Sequence, residues 1–343
     1  MEVFPNFEQM NFTQNKSLKK YNTFGLENKA KYFASFQNTN ELIALLTNYS
    51  KPLLIIGGGS NILLTQDFDG TVLKNNIQGI RIIKEDENHS FIKVGAGVPW
   101  HEFVLWSLEN KLSGIENLSL IPGSCGAAPM QNIGAYGVEL KSVFHELQAL
   151  KIEDRSLHRF KNEDCNFGYR YSVFKGPLKG KFIITDVTFK LNKKHHLNTS
   201  YGAIEQELSD LKLEANIYNI SNAIINIRKR KLPDPNKIGN SGSFFKNPVI
   251  SNKQFEKLKK QFPNIVGYPL KSEVTKLAAG WLIDNAGWKG FRKDDIGVHK
   301  NQALVLVNYG KGKGHKIWEL SEDIKKSIYD KFGIELEREV NII

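Results

Sequence analysis

The sequence predicts an α+β protein built from more than one domain, and three observations lead to that prediction. The chain has 343 residues, more than a single small core accommodates, which suggests about two or three domains. In its earlier part, short apolar runs lead straight into glycine-rich segments, as strands do before ligand-binding loops. After residue 215 the apolar residues recur at the spacing of helices.

Composition indicates a soluble globular protein of a reducing compartment. Hydrophobic residues make up 41% of the chain, and no apolar run approaches the roughly 20 residues of a membrane span. Residues 1–6 have neither the basic start nor the apolar core of a signal peptide. The cysteines, Cys125 and Cys165, cannot form a disulfide framework. We therefore expect a cytoplasmic protein that does not insert into membranes.

The net charge of +11 permits an anionic ligand without identifying it. Nucleic-acid-binding proteins concentrate positive charge on one face or arm, whereas the lysines here are spread along the chain. The dense cluster at 228–231 ends a helix-like segment, where cations are favourable for structural reasons alone. We expect no nucleic-acid partner.

The elements of the first half follow one another in a regular order. Residues 39–50 predict a short helix, and residues 52–56 predict a buried strand that runs into a glycine-rich segment. Residues 91–97 predict another strand. Pro99 then suits the first turn of a helix that ends near Gly114.

The middle of the chain contains a long loop rich in glycine and other small residues, over 115–137. Because it is poor in charge, it indicates a functional loop rather than a linker. Residues 182–191 alternate as a strand. Changes in pattern place soft domain boundaries near residues 75 and 212.

The last third predicts helices with recognisable ends. Ser251 and Gln254 suit a capping box at the start of the first of these helices. Apolar spacing predicts two more helices, over 272–286 and 317–332, each closed by the glycine that follows it.

The glycine segments suggest a nucleotide ligand without forming a dinucleotide-binding fingerprint. Residues 57–61 follow a strand, so their amides can line up as an anion-binding nest. Residues 95–100 begin like the fingerprint, but Trp100 occupies the position of the third glycine, where its bulk prevents close packing of helix on strand. A Rossmann fold is therefore disfavoured. Combined with residues 121–137, these segments favour a ligand that has a pyrophosphate and a flat ring.

Arg170 lies between Tyr169 and Tyr171. A guanidinium flanked by aromatic rings can be partly desolvated, and it then binds a carboxylate or enolate more strongly. On spacing alone, an arginine stacked on tyrosines in a strand is the simpler interpretation.

Ser243 lies in the segment 239–248, between glycine and two phenylalanines. A serine in such a turn is ordinarily a helix cap or a turn hydroxyl. No Gly-x-Ser-x-Gly elbow surrounds it, which disfavours a hydrolase nucleophile. Lys246 and Asn247 can meet an anionic ligand there, although the sequence assigns Lys246 no role.

The carboxyl-terminal residues 334–340 predict a strand with three glutamates on one face, Glu335, Glu337 and Glu339. A solvated acidic edge is the simpler interpretation and fits Glu335 and Glu337. A carboxyl group buried beside like charges would instead have a raised pKa, which is useful in acid–base catalysis.

From Tyr21 to Glu339, the chain resembles the UDP-N-acetylenolpyruvoylglucosamine reductase family in the order and spacing of these motifs. The resemblance implies a vanillyl-alcohol-oxidase/PCMH-type two-lobed FAD-binding module plus a C-terminal α+β substrate-binding domain. Its lobes would be 1–75 and 76–212, followed by the substrate-binding domain at 213–333, with a strand at 334–343 returning to the first lobe.

FAD is the cofactor that the resemblance implies. No histidine lies in the glycine segments, so we expect it to be bound non-covalently. The matching cofactor positions are Tyr21, Asn22, Thr23, Gly57, Gly58, Gly59, Ser60, Asn61, Gly123, Ser124, Gly126, Ala127, Gln131, Asn132, Gly134, Ala135, Tyr136 and Gly137.

Arg170, Ser243 and Glu339 fall on the family's catalytic positions. Tyr201 resembles the substrate-covering tyrosine of the Escherichia-like subtype, which has a tyrosine loop. The positions that match contacts to the UDP-sugar are Tyr201, Lys231, Asn247 and Gln302. The resemblance implies NADPH as co-substrate, Ser243 as the proton donor, no metal site and a monomer.

Other kinds of protein remain open at this stage. An FAD oxidase of the same superfamily would be reoxidised rapidly by oxygen and would not need the motifs at 243 and 339. A basic nucleic-acid-binding protein would be colourless and would bind DNA or RNA in a salt-dependent way. A metalloenzyme is disfavoured because the histidines form no cluster with acids or cysteines at metal-site spacing.

Overall fold

The computed structural model describes residues 12–270 and 273–343. These residues divide into two compact units. The first unit contains the described residues up to Lys16, together with Ala30–Gly58 and Asp69–Arg228. The second unit contains Ser17–Lys29, Gly59–Phe68 and Lys229–Ile343. Residues 1–6, where no signal peptide is expected, lie outside the described part of the chain.

The elements up to residue 231 are mostly strands, with helices between some of them. In chain order they are β1 (Thr13–Ser17), β2 (Lys29–Phe36), α1 (Thr39–Leu45), β3 (Leu53–Ile56), β4 (Ile62–Leu63), β5 (Phe68–Asn75), β6 (Ile80–Glu85), β7 (His89–Gly95), α2 (Trp100–Glu109), β8 (Gly134–Ala135), β9 (Val138–Glu139), β10 (Phe144–Lys151), β11 (Leu157–Lys161), β12 (Phe182–Asn192), α3 (Gly202–Asp210) and α4 (Ile217–Lys231).

The elements after residue 231 complete the second unit. They are β13 (Gly239–Ser243), β14 (Val249–Ser251), α5 (Asn252–Gln261), β15 (Gly267–Pro269), β16 (Val274–Leu277), α6 (Ala279–Asn285), β17 (Arg292–Lys293), β18 (Ile296–Val298), β19 (Val305–Asn308), α7 (Gly314–Phe332) and β20 (Asn341–Ile342). In the described part of the chain, no helix combines the length and apolar character needed to cross a membrane.

The first unit is organised around two sheets. A four-stranded sheet has the order β1-β2-β5-β3, and its β3 and β5 are parallel. A five-stranded sheet has the order β11-β10-β12-β7-β6, and all its neighbours are antiparallel. Helix α2 packs on this second sheet, because Trp100 and Phe103 lie one turn apart and both contact Phe189 of β12, at centroid distances of 5.7 and 4.8 Å.

Trp100 explains why the glycine segment before it is not a dinucleotide-binding fingerprint. Its ring is 1% exposed, and its indole N–H donates to the Leu118 carbonyl at 2.9 Å. The position that the fingerprint reserves for its third glycine therefore carries a large core side chain in this protein.

The second unit contains two antiparallel sheets, ordered β13-β19-β18-β17 and β14-β16-β15. A parallel pair also joins β20 to β4, so the chain's last residues pair with Ile62–Leu63. Helix α7 buries Ile317, Leu320, Ile324 and Ile328, and Gly333 caps it in the left-handed conformation at φ 65°. The helix predicted over 317–332 is confirmed, and it begins three residues earlier, at Gly314.

The prediction of a single helix over 272–286 is wrong. Ser272 lies outside the described residues, Val274–Leu277 is strand β16, and only Ala279–Asn285 is helical. The apolar spacing fits both structures, but Val274 and Thr275 are β-branched and β16 pairs on both sides, with β14 and β15. Sheet pairing therefore overrides the helical pattern.

Other predicted ends shift by a few residues. Helix α1 ends at Leu45, before the predicted residue 50. Helix α2 ends at Glu109, because Lys111 already takes a positive φ of 56° ahead of Gly114. Ser251 caps α5 as predicted, and its hydroxyl accepts from the Gln254 amide at 3.2 Å.

The predicted strand at 334–340 does not form a continuous ladder. Its one bridge joins Arg338 to Phe245, and regular pairing begins only at β20. The predicted alternation nevertheless holds, because Ile334, Leu336 and Val340 are buried whereas Glu335 and Glu337 are exposed.

Gly314 gives a test of packing in the second unit. A Cβ at this first residue of α7 would lie 1.7 Å from the Leu64 carbonyl oxygen, so Gly314→Ala must displace backbone. We expect it to destabilise the protein by about 1–3 kcal/mol, measured as a lower urea midpoint of unfolding. Gly202→Ala is the matched control, because Gly202 begins α3 and a Cβ there has no neighbour within 4 Å. Equal midpoints for the two variants would contradict this packing.

Candidate active site

Two glycine-rich segments of the first unit meet backbone to backbone. A Cβ on Gly57 would lie 2.3 Å from Ser124 Oγ, and one on Gly58 would lie 2.9 Å from the Gly123 Cα. Any side chain at these positions would push the segments apart. The contact therefore leaves a surface built largely from main chain.

The rest of this loop is fixed by pairing with residues 96–100. The Trp100 amide donates to Gly123 at 2.9 Å, the Cys125 amide to Val98 at 2.8 Å, and the Gly126 amide to Ala96 at 2.9 Å. A Cβ on Gly126 would lie 2.4 Å from the Ala96 Cβ. Gly126 thus has a packing role, and its amide is used within the protein.

Asn132 organises the second half of the loop. It is fully buried at φ 45°, and its side-chain amide donates to Glu139 and to the Gly168 carbonyl, both at 3.1 Å. Its carbonyl oxygen accepts from the Lys141 amide at 3.0 Å. These bonds hold the loop onto the turn that carries Arg170.

Arg170 occupies a tight turn rather than a strand. Gly168 and Tyr171 exchange backbone hydrogen bonds, and Arg170 between them has a φ of 52°, a left-handed conformation that is uncommon outside glycine. Its Nη2 donates to the Gly134 carbonyl at 2.9 Å, and its guanidinium lies over the Tyr169 ring at 5.6 Å. The structure therefore brings Arg170 to the glycine loop, half-buried beside an aromatic ring as the sequence predicts.

Tyr136 of the same loop contacts Tyr201, with ring centroids 5.2 Å apart. The Tyr136 hydroxyl also accepts a hydrogen bond from Arg228. Burial raises the pKa of Tyr136 and lowers that of Arg228, while their contact opposes both shifts. Arg228 lies in the last turn of α4, as the interpretation of a helix-end charge requires, and its half-buried side chain also packs against Tyr136.

In the second unit, the segment Tyr21-Asn22-Thr23 forms a turn that hydrogen bonds of the Asn22 side chain stabilise. The Asn22 side chain donates to Leu18 at 2.8 Å and to Leu26 at 3.1 Å, and it accepts from the Leu26 amide at 3.0 Å. A Cβ on Gly59 would lie 2.0 Å from the Tyr21 carbonyl oxygen. The turn and the end of the first glycine segment therefore fit together only because residue 59 is glycine.

Ser243 follows a bulge in strand β13. Asn240 pairs with Val307 and Ser243 with Val305, so the register shifts between them, and Gly242 takes a φ of 67°. The Gly242 amide donates to the Asn240 side chain at 3.0 Å. Bulges of this kind redirect a side chain at the end of a strand. The predicted turn around Ser243 is thus a bulged strand end.

Phe244 and Phe245 anchor the chain directly after Ser243. They are 0% and 1% exposed, with ring centroids 5.3 Å apart. The half-buried Ser243 therefore lies on a rigid segment. Within the described residues its hydroxyl makes no hydrogen bond to the protein.

Glu339 lies beside this segment. Its amide donates to the Phe244 carbonyl at 2.8 Å, and its own carbonyl accepts from the Asn61 side chain at 3.3 Å. Glu339 is half-buried, whereas the neighbouring Glu337 is exposed and pairs with Lys246. Two predicted catalytic residues and one predicted cofactor residue thus converge from distant parts of the chain.

Asn247 and Gln302 both lie at the first turn of α6. The Asn247 carbonyl oxygen accepts from the Ala279 amide at 3.0 Å, and its NH₂ group is a donor. Gln302 Oε1 lies 3.4 Å from the position of a Cβ on Gly280. Two predicted substrate residues therefore lie beside the same helix turn, whereas Lys231 lies exposed at the last residue of α4.

Asn308 was not identified from the sequence, and it pairs with Gly239 at the start of the strand that carries Ser243. Asn308 is 3% exposed, and its NH₂ group donates to the Phe24 carbonyl at 2.8 Å. Its carbonyl oxygen accepts from the Gly310 and Gly312 amides, each at 2.9 Å. The glycines at two and four residues after Asn308 were the available signal for this loop.

The chain is similar to known proteins along nearly its whole length. Residues 234–343 match the family described as UDP-N-acetylenolpyruvoylglucosamine reductase, C-terminal domain, and residues 30–158 match an FAD binding domain. A UDP-N-acetylenolpyruvoylglucosamine reductase of Flavobacterium johnsoniae is 49% identical over 97% of this chain and 100% of its own. The corresponding reductase of Pseudomonas syringae pv. tomato is 49% identical over 95% of this chain and 97% of its own.

The crystal structure of UDP-N-acetylenolpyruvylglucosamine reductase (MurB) from Thermus caldophilus has the same fold. It superimposes with a TM-score of 0.69 at 23% identity and covers 97% of this chain and 99% of its own. The predicted fold class, a PCMH-type FAD-binding module followed by an α+β domain, is confirmed. On the relatives' identity and near-complete coverage, the chain belongs to the UDP-N-acetylenolpyruvoylglucosamine reductase family, whose members are FAD-dependent oxidoreductases.

Proposed function

We propose that this chain uses NADPH to reduce UDP-N-acetylenolpyruvoylglucosamine to UDP-N-acetylmuramate, the lactyl ether, with non-covalently bound FAD. The observation that carries this proposal is the hydrogen bond from the Glu339 amide to the Phe244 carbonyl, because it sets Glu339 beside the segment that presents Ser243. In the proposal, residues 1–75 and 76–212 form the lobes of the FAD module and residues 213–333 bind the sugar nucleotide. The enzyme acts as a cytoplasmic monomer.

The residues of the first unit suit FAD. Gly57, Gly58 and Gly123 form a surface of main chain, which a pyrophosphate and a flat ring can approach closely. Beside the loop, Arg228 Nε and Asn117 Oδ1 are buried with no hydrogen-bond partner among the described residues. Buried polar atoms of this kind are expected where a polar ligand completes their bonding.

Held at the main-chain surface of Gly57, Gly58 and Gly123, FAD would supply the redox chemistry for hydride transfer from NADPH to C3 of the enolpyruvyl group. Arg170 binds the substrate carboxylate in this proposal. Its hydrogen bond to Gly134 orients the guanidinium, whose planar fork of N–H groups matches a carboxylate. Because its backbone is already held in an unusual conformation, Arg170 is oriented before the substrate binds.

Ser243 donates the proton that C2 receives. The bulge and the two buried phenylalanines restrict its position, and its hydroxyl is not bonded to another described residue. Glu339 and Arg170 stabilise the enolic species as charge develops on C2 and the carboxylate. Oriented groups of this kind contribute about 3–4 kcal/mol to other reactions.

Tyr201, Lys231, Asn247 and Gln302 bind the UDP-sugar in this proposal. The NH₂ group of Asn247 and the exposed ammonium of Lys231 are donors suited to an anionic ligand. Tyr201 is 48% exposed and directly precedes α3, so its ring can cover a ligand, as in the tyrosine-loop subtype.

Gly58→Ala tests the cofactor surface. The new Cβ would meet Gly123 backbone at 2.9 Å and separate the two glycine segments, so we expect the Kd for FAD to rise about tenfold or more. The measurement is titration of the deflavinated protein with FAD, followed by flavin fluorescence. Gly202→Ala is the matched control, since its Cβ has open space. Retention of FAD as tight as in that control would contradict the assignment.

Ser243→Ala tests the proton donor. Flavin reduction by NADPH should stay within about twofold, because no proton from Ser243 enters that step, whereas reoxidation by the enolpyruvyl substrate should slow by about a hundredfold or more. Stopped-flow absorbance of the flavin separates the two half-reactions. Ser241→Ala is the control, because Ser241 lies on the same strand as Ser243 and its hydroxyl already donates to the Ile62 carbonyl at 3.3 Å. An equal decrease in the rates of both half-reactions would show that Ser243 is not the proton donor.

A further inference from the structure

Arg338 binds two neighbouring residues of helix α7. Its side chain is only 16% exposed, its Nε donates to Ser321 Oγ at 2.9 Å, and its Nη2 forms an ion pair with Glu322. Ser321 is itself fully buried, and its hydroxyl donates to the Trp318 carbonyl at 2.6 Å. The guanidinium is therefore held in two directions at once by one turn of the helix.

The position of Arg338 in its segment is unusual for a charged residue. Neighbouring residues of an extended chain point to opposite sides, and the inward set here is Ile334, Leu336, Arg338 and Val340. Arg338 is the charged member of an otherwise apolar row. A polar residue with specific partners in such a row fixes register, because a slip by one residue would turn Glu339 towards the helix.

Backbone hydrogen bonds hold this segment at a few points. Around Glu339, the Lys246 amide donates to the Glu337 carbonyl at 2.9 Å and the Glu339 amide donates to Phe244 at 2.8 Å, with one bridge between them at Arg338 and Phe245. Regular pairing begins only at residue 341. The side-chain anchor on α7 therefore adds to a short backbone contact in setting the direction of the side chains at 337–339.

We propose that Arg338 is a positioning residue for the reaction: by binding Ser321 and Glu322 of α7, it sets the direction in which the next residue, Glu339, presents its carboxyl group. The inference rests on the proposed function, in which Glu339 stabilises the enolic species. Arg338 does not touch the substrate and acts through Glu339. Lys246, paired with Glu337, holds the outer side of the same segment.

Arg338→Met and Glu322→Gln test this inference. Arg338→Met removes both bonds, and Glu322→Gln weakens one while keeping the guanidinium on Ser321. In stopped-flow measurements on the FAD-loaded enzyme, we expect Arg338→Met to slow flavin reoxidation by the enolpyruvyl substrate about 10- to 100-fold, as misplacement of a catalytic group does. Flavin reduction by NADPH and the Kd for the sugar nucleotide should stay within about twofold of wild type, because Arg338 serves neither step.

Lys316→Met is the matched control. Lys316 and Glu319 form an ion pair at 2.7 Å on the same helix, with side chains 55% and 48% exposed, so its loss should leave both half-reactions unchanged. If Arg338→Met does not fold, as judged by circular dichroism and FAD content, Glu322→Gln takes its place, with a smaller loss expected in the same half-reaction.

A double-mutant cycle with Glu339→Gln distinguishes positioning from a general structural effect. If Arg338 acts through Glu339, Arg338→Met should add nothing further in the Glu339→Gln background. The same fold-loss in both backgrounds, or wild-type reoxidation in Arg338→Met, would overturn the positioning role while leaving the proposed function in place. A Glu339→Gln enzyme with wild-type reoxidation would overturn the proposed function, and the positioning role with it.

Discussion

The hydrogen bond between the Glu339 amide and the Phe244 carbonyl joins two segments that lie almost a hundred residues apart. The same place receives a third segment, because Asn61 binds the Glu339 carbonyl and β20 pairs with β4. A glutamate four residues from the carboxyl terminus thereby lies beside the strand end that carries Ser243. The proposed protonation and charge stabilisation both depend on this closure of the chain within the second unit.

Several glycines of the glycine-rich motifs are required for close packing within the protein, in addition to any contact with a ligand. Gly59 fits the Tyr21 carbonyl, Gly126 fits Ala96, and a Cβ on Gly239 would lie 2.2 Å from the Phe24 carbonyl oxygen. Asn22 likewise uses its side chain inside its own turn, and Asn132 uses its side chain to bind Glu139, Lys141 and Gly168. The motifs that resemble a cofactor site are therefore also the residues that give the loops their shape. In a ligand surface made from main chain, the same glycines must pack closely within the protein and leave their backbone accessible to the ligand.

Much of the local structure could be predicted from the sequence, because it depends on neighbouring residues. The apolar spacing of α7 and its terminal Gly333, the serine cap of α5 and the alternation of exposed glutamates after residue 333 are all local patterns. The strand at 274–277 was missed because partners on both sides determine it. Pairing across long separations also sets the bulge before Ser243, and spacing within one segment carries no information about that pairing. The contact of Arg228 with Tyr136 likewise joins residues far apart in the sequence.

In the candidate site, too, some features could be predicted from local sequence and others could not. Residue types and motif order identified Arg170, Ser243 and Glu339, but their local geometry was not apparent: Arg170 lies in a left-handed turn and Ser243 follows a bulge. We propose above that reduced flavin in this protein transfers hydride to an enolpyruvyl sugar nucleotide. Anaerobic reduction of the flavoprotein with NADPH, followed by addition of UDP-N-acetylenolpyruvoylglucosamine, tests this transfer through the flavin absorbance. We expect rapid return of the oxidised spectrum with formation of UDP-N-acetylmuramate. A flavin that stays reduced until oxygen is admitted would rule out the transfer.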